Sequence, residues 1–369
     1  MANLPDYKLM IPGPAEMDDE VIAVMGQQIS AHYGPAWVEL YRETIALMQQ
    51  AFGTTADVLL LLSSGSGAME AAVGSLFAPG EQVLIVNNGF FGQRLTTITQ
   101  AVGIEVVLAT ADWGQAINPQ KVREILAQNP EIKGILAVHH ETSTGILNPI
   151  QALGEIAREF DVPLVVDAIA SLGGDPLLVD EWGIDICVTA GNKCLGAPVG
   201  FAPVAVSDRA CEIMDGKAKT AAGWYLNLKT WRRYMREWGD WHPTPVTVGS
   251  HNLQALYVAL TKLHEEGLEN RWRRYRETAG WFRAAMKERG FTLLVEGEQA
   301  SSVITAVNRL PGMDITDFMN YLRDQHHIQI SGGLGELSGQ IMRIGHMGHA
   351  RENIVAFLAA VDKFLQDQE

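Results

Sequence analysis

Short apolar runs punctuate the first two-thirds of the chain at spacings that suit buried strands. Residues 58–62, 83–86, 104–108, 134–138, 164–166 and 184–189 are continuous in their hydrophobicity rather than alternating, as in strands covered on both faces. Helical patterns lie between them. One spans 68–77 and stops at Pro79-Gly80, and another places Leu153, Ile156, Ala157 and Phe160 on one face. This alternation predicts an α/β architecture, a mostly parallel sheet with helices on both sides.

The rhythm changes near Leu253. Helical stretches cover 253–264 and 268–289, followed by strand-like runs at 292–294 and 302–307. A helix at 315–324, short strands at 328–330 and 341–344, and an amphipathic helix at 354–365 complete the chain. The mixed order predicts a smaller α+β C-terminal domain. The expected division is an N-terminal arm at 1–16, a large domain at 17–264 and a small domain at 265–369. No internal repeat or low-complexity segment interrupts it.

Composition narrows the partners. With 369 residues, 47% hydrophobic and 19% charged, the chain has enough apolar content for two cores. A net charge of -15 argues against a nucleic-acid or anionic-membrane surface, though not against small anionic substrates. Cys187, Cys194 and Cys211 lack metal-ligand spacing and read as reduced thiols of a cytoplasmic protein. Residues 1–6 carry no basic-then-apolar leader pattern, and no run has the length of a membrane span.

The chemistry sits at the ends of the apolar runs. Lys193 follows the run at 184–189 among small and apolar neighbours, an unusual setting for a surface lysine. Asp167 ends the run at 164–166, where a helix cap is the plain alternative. A lone amine and a lone carboxylate, each at the end of a buried strand, suit pyridoxal phosphate: the amine forms a Schiff base, and the carboxylate keeps the ring nitrogen protonated. Ser64-Gly65-Ser66-Gly67-Ala68 opens a helix after a strand, where free N–H groups attract phosphate. It lacks the third glycine of a dinucleotide fingerprint, which argues against a nicotinamide oxidoreductase.

Phe91 is an aromatic able to stack on a flat ring, and Thr142 a hydroxyl donor in a strand-end loop. His139 and His140 are adjacent, so in a strand they point to opposite faces, and no metal site is expected there. Arg343, between Met342 and Ile344, requires an anionic partner and suits a carboxylate. Residues 331–335, Ser-Gly-Gly-Leu-Gly, form a flexible loop near a substrate.

Taken in order, these segments resemble the class V aminotransferases of fold-type I pyridoxal-phosphate enzymes over nearly the whole chain. Ile11-Pro12-Gly13-Pro14, residues 64–68, 140–145 and 167–174, and Arg343-Ile344-Gly345 carry the likeness. Within the class the chain looks most like alanine–glyoxylate and serine–glyoxylate (serine–pyruvate) aminotransferases. That resemblance implies a seven-stranded sheet in the large domain and a homodimer. It implies Lys193 as the Schiff-base lysine, Asp167 as ring-nitrogen partner, Phe91 as stacking ring and Thr142 as donor to the phenolic oxygen. Ser66, Gly67, Ala68 and Asn192 become phosphate contacts and Arg343 the substrate-carboxylate contact. Thr244, in residues 241–247, and Tyr33 would reach the partner's site, with Tyr33 and Gly13 bordering substrate.

Two features separate close relatives. Residues 192–198 and 343–348 also resemble pyridoxamine–pyruvate aminotransferase, which uses free pyridoxamine, but the intact Ser/Gly loop here favours bound pyridoxal phosphate. His32-Tyr33-Gly34-Pro35 replaces the His-Arg-Ser segment common in relatives, leaving the amino donor open. No cysteine follows Cys211, which argues against a cysteine desulfurase. A pyridoxal-phosphate lyase on a similar substrate and a fold that has lost catalysis are the remaining alternatives; intact Lys193 and Asp167 oppose the latter.

Overall fold

The computed structural model describes residues 6–367. Residues 1–5, which hold most of the expected leader-free start and part of the N-terminal arm, lie outside the described residues. A seven-stranded sheet is built from β1 (Asp57–Ser63), β2 (Gln82–Asn87), β3 (Glu105–Thr110), β4 (Ile132–Val138), β5 (Leu164–Asp167), β6 (Ile186–Val188) and β7 (Gly200–Val206), in the order β1-β7-β6-β5-β4-β2-β3. Only β7 runs antiparallel, to β1 on one side and β6 on the other, so the remaining strands all point one way. Their carboxyl ends therefore share one edge, where α/β sheets bind ligands.

The apolar runs have the burial their pattern predicts. Leu59 and Leu61 pack into a core on one face of the sheet, while Val58 and Leu60 join a separate core on the other. Six strands fall on the runs read from the sequence; β7 does not. Pro203 disguises it, because proline cannot donate within a ladder. Here its carbonyl accepts from Thr189 N at 2.9 Å, one residue beyond the end of β6. A residue's N–H and C=O leave a strand on the same side, so the missing donor faces a position where the ladder has already stopped.

Beyond the sheet, helices Ser250–Glu266 and Leu268–Glu288 meet at Gly267. A three-stranded antiparallel sheet follows, of β8 (Ile304–Asn308), β9 (Ser331–Gly332) and β10 (Ile341–Gly345), with β10 central. Residues 292–294, expected as a strand, supply only an isolated bridge from Leu293 to Val307. Helices Ile315–His326 and Ala350–Gln366 cover the sheet around Phe282, Phe318 and Phe357. The N-terminal segment Lys8–Leu9 pairs with Ile328–Gln329, so the start of the chain is tied to its last third.

Helix Ile150–Glu159 packs so closely on the turn at Val179–Trp182 that a Cβ at Gly154 would overlap the Trp182 carbonyl oxygen. Backbone cannot yield as a flexible side chain can. Gly280, on the exposed side of helix Leu268–Glu288, has open space at the same position. Gly154→Ala is therefore expected to destabilise the protein by about 1–3 kcal/mol. Gly280→Ala is expected to stabilise it by about 0.5–1 kcal/mol through helix propensity. Denaturant unfolding of both variants checks the pair, and equal effects would contradict the packing.

Candidate functional site

A cavity of about 310 Å³ opens at the carboxyl edge of the sheet. Ser64, Ser66, Phe91, Thr142, Asp167, Asn192 and Lys193 line it. They arrive on separate loops, each just after a strand of the common direction, and so converge although the chain places them far apart. Arg94, His140 and Ile169 complete its polar and apolar walls, with Met69, Leu95 and Ile98 deeper in.

Lys193 donates to the Pro12 carbonyl at 2.5 Å. Burial, with the Arg343 and Arg94 charges, holds its amine below the ordinary lysine range, while Cys194 and Asp167 oppose that shift. Gly13 adjoins it with φ +111°, and a Cβ there would press on the lysine side chain. Only glycine tolerates both the backbone angle and that approach. Asp167 accepts from Ile169 N at 2.9 Å. Burial pushes its carboxyl up to about 6, against the pull of the Ile169 amide, Lys193 and Arg94.

Ser64 caps helix Gly65–Leu76, its Oγ accepting from Gly67 N at 3.2 Å. Ala68 N is spent on the Ser64 carbonyl at 3.0 Å, and Ala68 is buried. Gly67 and Ala68 are not among the residues that line the cavity. Their amides are consumed by the cap and the first helical bond, whereas those of Gly65 and Ser66 have no partner among the described residues. An anion is favoured there by those donors and by the helix dipole.

Glu141 was legible in the sequence only as part of a motif, and the structure gives it a definite place. Its buried carboxylate accepts from Phe91 N at 3.0 Å, Gly92 N at 3.0 Å and Ser143 N at 3.1 Å. It thereby holds the start of helix Phe90–Ala101 against the loop that carries Thr142. Burial raises its pKa, opposed by Ser143 and the helix amides. Arg94 lies over Phe90 and Phe91, 5.0 and 4.8 Å from their ring centroids. The helical spacing of these residues was the available signal.

Arg343 approaches from β10. Its Nε donates to Gly332 O at 2.8 Å and its Nη1 to Thr142 O at 3.2 Å. Burial lowers its pKa to about 10, opposed by Glu141. No carboxylate pairs with it among the described residues. The Gly-rich segment is anchored here rather than loose, since Ser331 and Gly332 pair with Arg343 and Met342.

Tyr33 and Thr244 lie outside their own chain's cavity. Tyr33 is 52% exposed beside Trp241, and Thr244 is buried with its hydroxyl donating to Val246 O at 2.9 Å. His139 and His140 diverge as expected, His139 bonding Ser171 and His140 bonding Ser301. All three cysteines are free and buried, and among the described residues no helix is long and apolar enough to cross a membrane.

The aminotransferase class-V family model matches residues 9–351. An uncharacterized aminotransferase of Methanocaldococcus jannaschii is 36% identical, the match covering 97% of this chain and 92% of that one. The crystal structure of alanine–glyoxylate aminotransferase from Nostoc sp. superposes with a TM-score of 0.94 at 31% identity, covering 98% of this chain and 96% of that one. Pyridoxamine–pyruvate aminotransferase from Mesorhizobium loti gives a TM-score of 0.92 at 29% identity, covering 100% of this chain and 94% of that one. The chain belongs to the class V aminotransferases, enzymes that work with pyridoxal 5′-phosphate.

Proposed function

We propose that this aminotransferase moves an amino group from a small amino acid, alanine or serine, to a 2-oxo acid such as glyoxylate or pyruvate. One observation carries the reading: Arg343 presents a guanidinium beside Thr142 that forms no salt bridge among the described residues. A single fork of this kind suits the one carboxylate shared by a small amino acid and its oxo acid. The likeness to the Nostoc alanine–glyoxylate enzyme supports the same class of substrate.

The cavity fits the cofactor by its donor set. Gly65 and Ser66 offer unspent amides to a phosphate, Asp167 a carboxylate to a ring nitrogen, Phe91 a face to the ring, and Lys193 an amine. The helix-start amides also support a phosphorylated cofactor over free pyridoxamine. When bound, pyridoxal 5′-phosphate supplies an aldehyde that takes the amino group and a ring that withdraws electrons from the substrate α-carbon.

The protein's part follows from charge. Burial shifts the Lys193 amine toward its neutral form, the form that can take a proton from the α-carbon and pass it to the cofactor. Asp167 stays ionised opposite a protonated ring nitrogen, whose charge offsets the burial that otherwise lifts its carboxyl. Arg343 orients the substrate by its carboxylate.

A homodimer belongs to the same proposal. Tyr33, Trp224, Trp238 and Trp241 are large exposed aromatics on one chain, and Tyr33 and Trp241 stack at 5.8 Å between centroids. Such a surface suits burial against a second copy, carrying Tyr33 and the Thr244 segment toward the partner's cavity. The division at 264/265 remains part of this reading, as does a reducing, cytoplasmic compartment, which the buried free thiols support.

Purified protein loaded with cofactor should show amino transfer from alanine or serine to glyoxylate or pyruvate. Ammonia release without an oxo acid would favour the lyase alternative and sink this one. Lys193→Ala is expected to leave no borohydride-fixed cofactor; retained wild-type turnover would contradict its role. Arg343→Ala should raise KM for donor and acceptor alike by about 10- to 100-fold. Unchanged values for both would remove Arg343 from the site.

Asp167 also yields a stability test in the cofactor-free protein. Its carboxyl is raised to about 6 on folding, from about 4 in the unfolded chain. Between those values the folded state holds the extra proton, so stability falls as pH rises through the window. Asp167→Asn should therefore raise the unfolding free energy of the cofactor-free protein at pH ~8 by about 1–3 kcal/mol. The advantage should shrink toward pH ~4, where the folded carboxyl is already neutral. Urea titrations at both pH values check this, and a loss of stability at pH ~8 would contradict it.

A further inference from the structure

His140 and Thr142 both line the cofactor cavity, His140 from the short strand His140–Glu141 and Thr142 from the turn that follows it. His140 is buried, and burial together with the His139 and Lys193 charges pushes its imidazole down to about 3, against the neighbouring Ala170 carbonyl. The ring is therefore neutral, with one nitrogen a donor and the other an acceptor.

Its partners decide which is which. Nδ1 lies 3.2 Å from Ser301 Oγ. Ser301 Oγ lies 2.7 Å from Asp175 Oδ2, and Asp175 Oδ1 accepts from Ser302 N at 2.8 Å. Val303 N also donates to Ser301 Oγ, at 3.2 Å. A hydroxyl has a single hydrogen, and the shorter, charge-assisted bond to the carboxylate takes it. Toward His140, Ser301 can then only accept, so Nδ1 carries the ring proton. Nε2 is left as a bare acceptor, buried and without a hydrogen-bond partner among the described residues.

We propose that His140 Nε2 accepts a hydrogen bond from the phenolic hydroxyl of bound pyridoxal phosphate, with Asp175 and Ser301 fixing the imidazole in the tautomer that allows it. Thr142, which lines the same cavity, gives that hydroxyl a donor, and His140 gives it an acceptor. An acceptor there favours the neutral hydroxyl over the phenolate. Ser301 lies just before β8, so this contact links the small antiparallel sheet to the cofactor wall. The inference rests on the cofactor site and is independent of the amino donor.

The test uses the full-length protein with pyridoxal phosphate, read by dissociation constant and by the absorption bands of the neutral and ionised cofactor hydroxyl. His140→Phe removes the acceptor while keeping ring volume. It should weaken cofactor binding about 3- to 30-fold and raise the share of the ionised band. His140→Asn, which restores an acceptor oxygen, should recover part of both. Asp175→Asn can donate to Ser301, which turns the Ser301 hydrogen toward Nδ1 and makes Nε2 a donor. It should raise the ionised band without any change at position 140, and it serves if His140→Phe does not fold. Band ratios unchanged in His140→Phe and Asp175→Asn, with dissociation constants within about twofold of wild type, would overturn the proposal. A wild-type chain that bound no pyridoxal phosphate would sink it together with the whole cofactor site.

Discussion

The cofactor-facing wall depends on the Glu141 carboxylate, buried against the first amides of helix Phe90–Ala101. An isolated carboxylate at this depth would be costly. Here it is met by Phe91 N, Gly92 N, Ser143 N and the Ser143 hydroxyl, and by the positive end of the helix dipole. The same bonds fix Phe91 relative to the loop that carries Thr142. Arg343 then fastens to that loop through the Thr142 carbonyl. The contacts assigned to ring, hydroxyl and substrate thus hang on one rigid strut rather than on three mobile loops.

Strand direction explains why the remaining groups meet. Ser64 follows β1, Asp167 ends β5 and Lys193 lies beyond β6, all at the edge where the like-directed strands finish. A parallel sheet with helices on both faces keeps water from its centre but leaves this edge open. That geometry produces the opposed shifts at Asp167 and Lys193: burial disfavours charge on each, lifting the carboxyl and lowering the amine. Apolar burial therefore favours the neutral amine at position 193, whereas the carboxylate at 167 depends on an opposite charge to stay ionised.

The sequence made the sheet readable where burial on both faces left unbroken apolar runs, as at Leu164–Asp167. It hid β7, whose Pro203 argues locally against a strand and is excused only by where β6 stops. Lys193, Asp167, Phe91, Thr142, Asn192 and Ser66 line one cavity, and each was legible because it ends or follows an apolar run. The bonds that take up the Gly67 and Ala68 amides were not legible, because the cap geometry depends on where the helix begins, three residues earlier than the pattern suggested. Glu141 and His140 escaped because their importance lies in partners about 50 and 160 residues away, which no local spacing encodes.

Lys193 carries this argument furthest. Its amine is oriented by the Pro12 carbonyl, and Pro12 is held in place from two directions. Lys8 and Leu9 pair with Ile328 and Gln329, and Gly345 N donates to the Met10 carbonyl at 2.8 Å. Gly345 ends the same strand that carries Arg343, so the Arg343 guanidinium and the hold on the lysine share one piece of backbone. The amine of the large sheet therefore reaches its orientation only when the start of the chain has docked on its last third. Because such long-range contacts must all be present at once, the reactive geometry belongs to the completed fold rather than to any one segment.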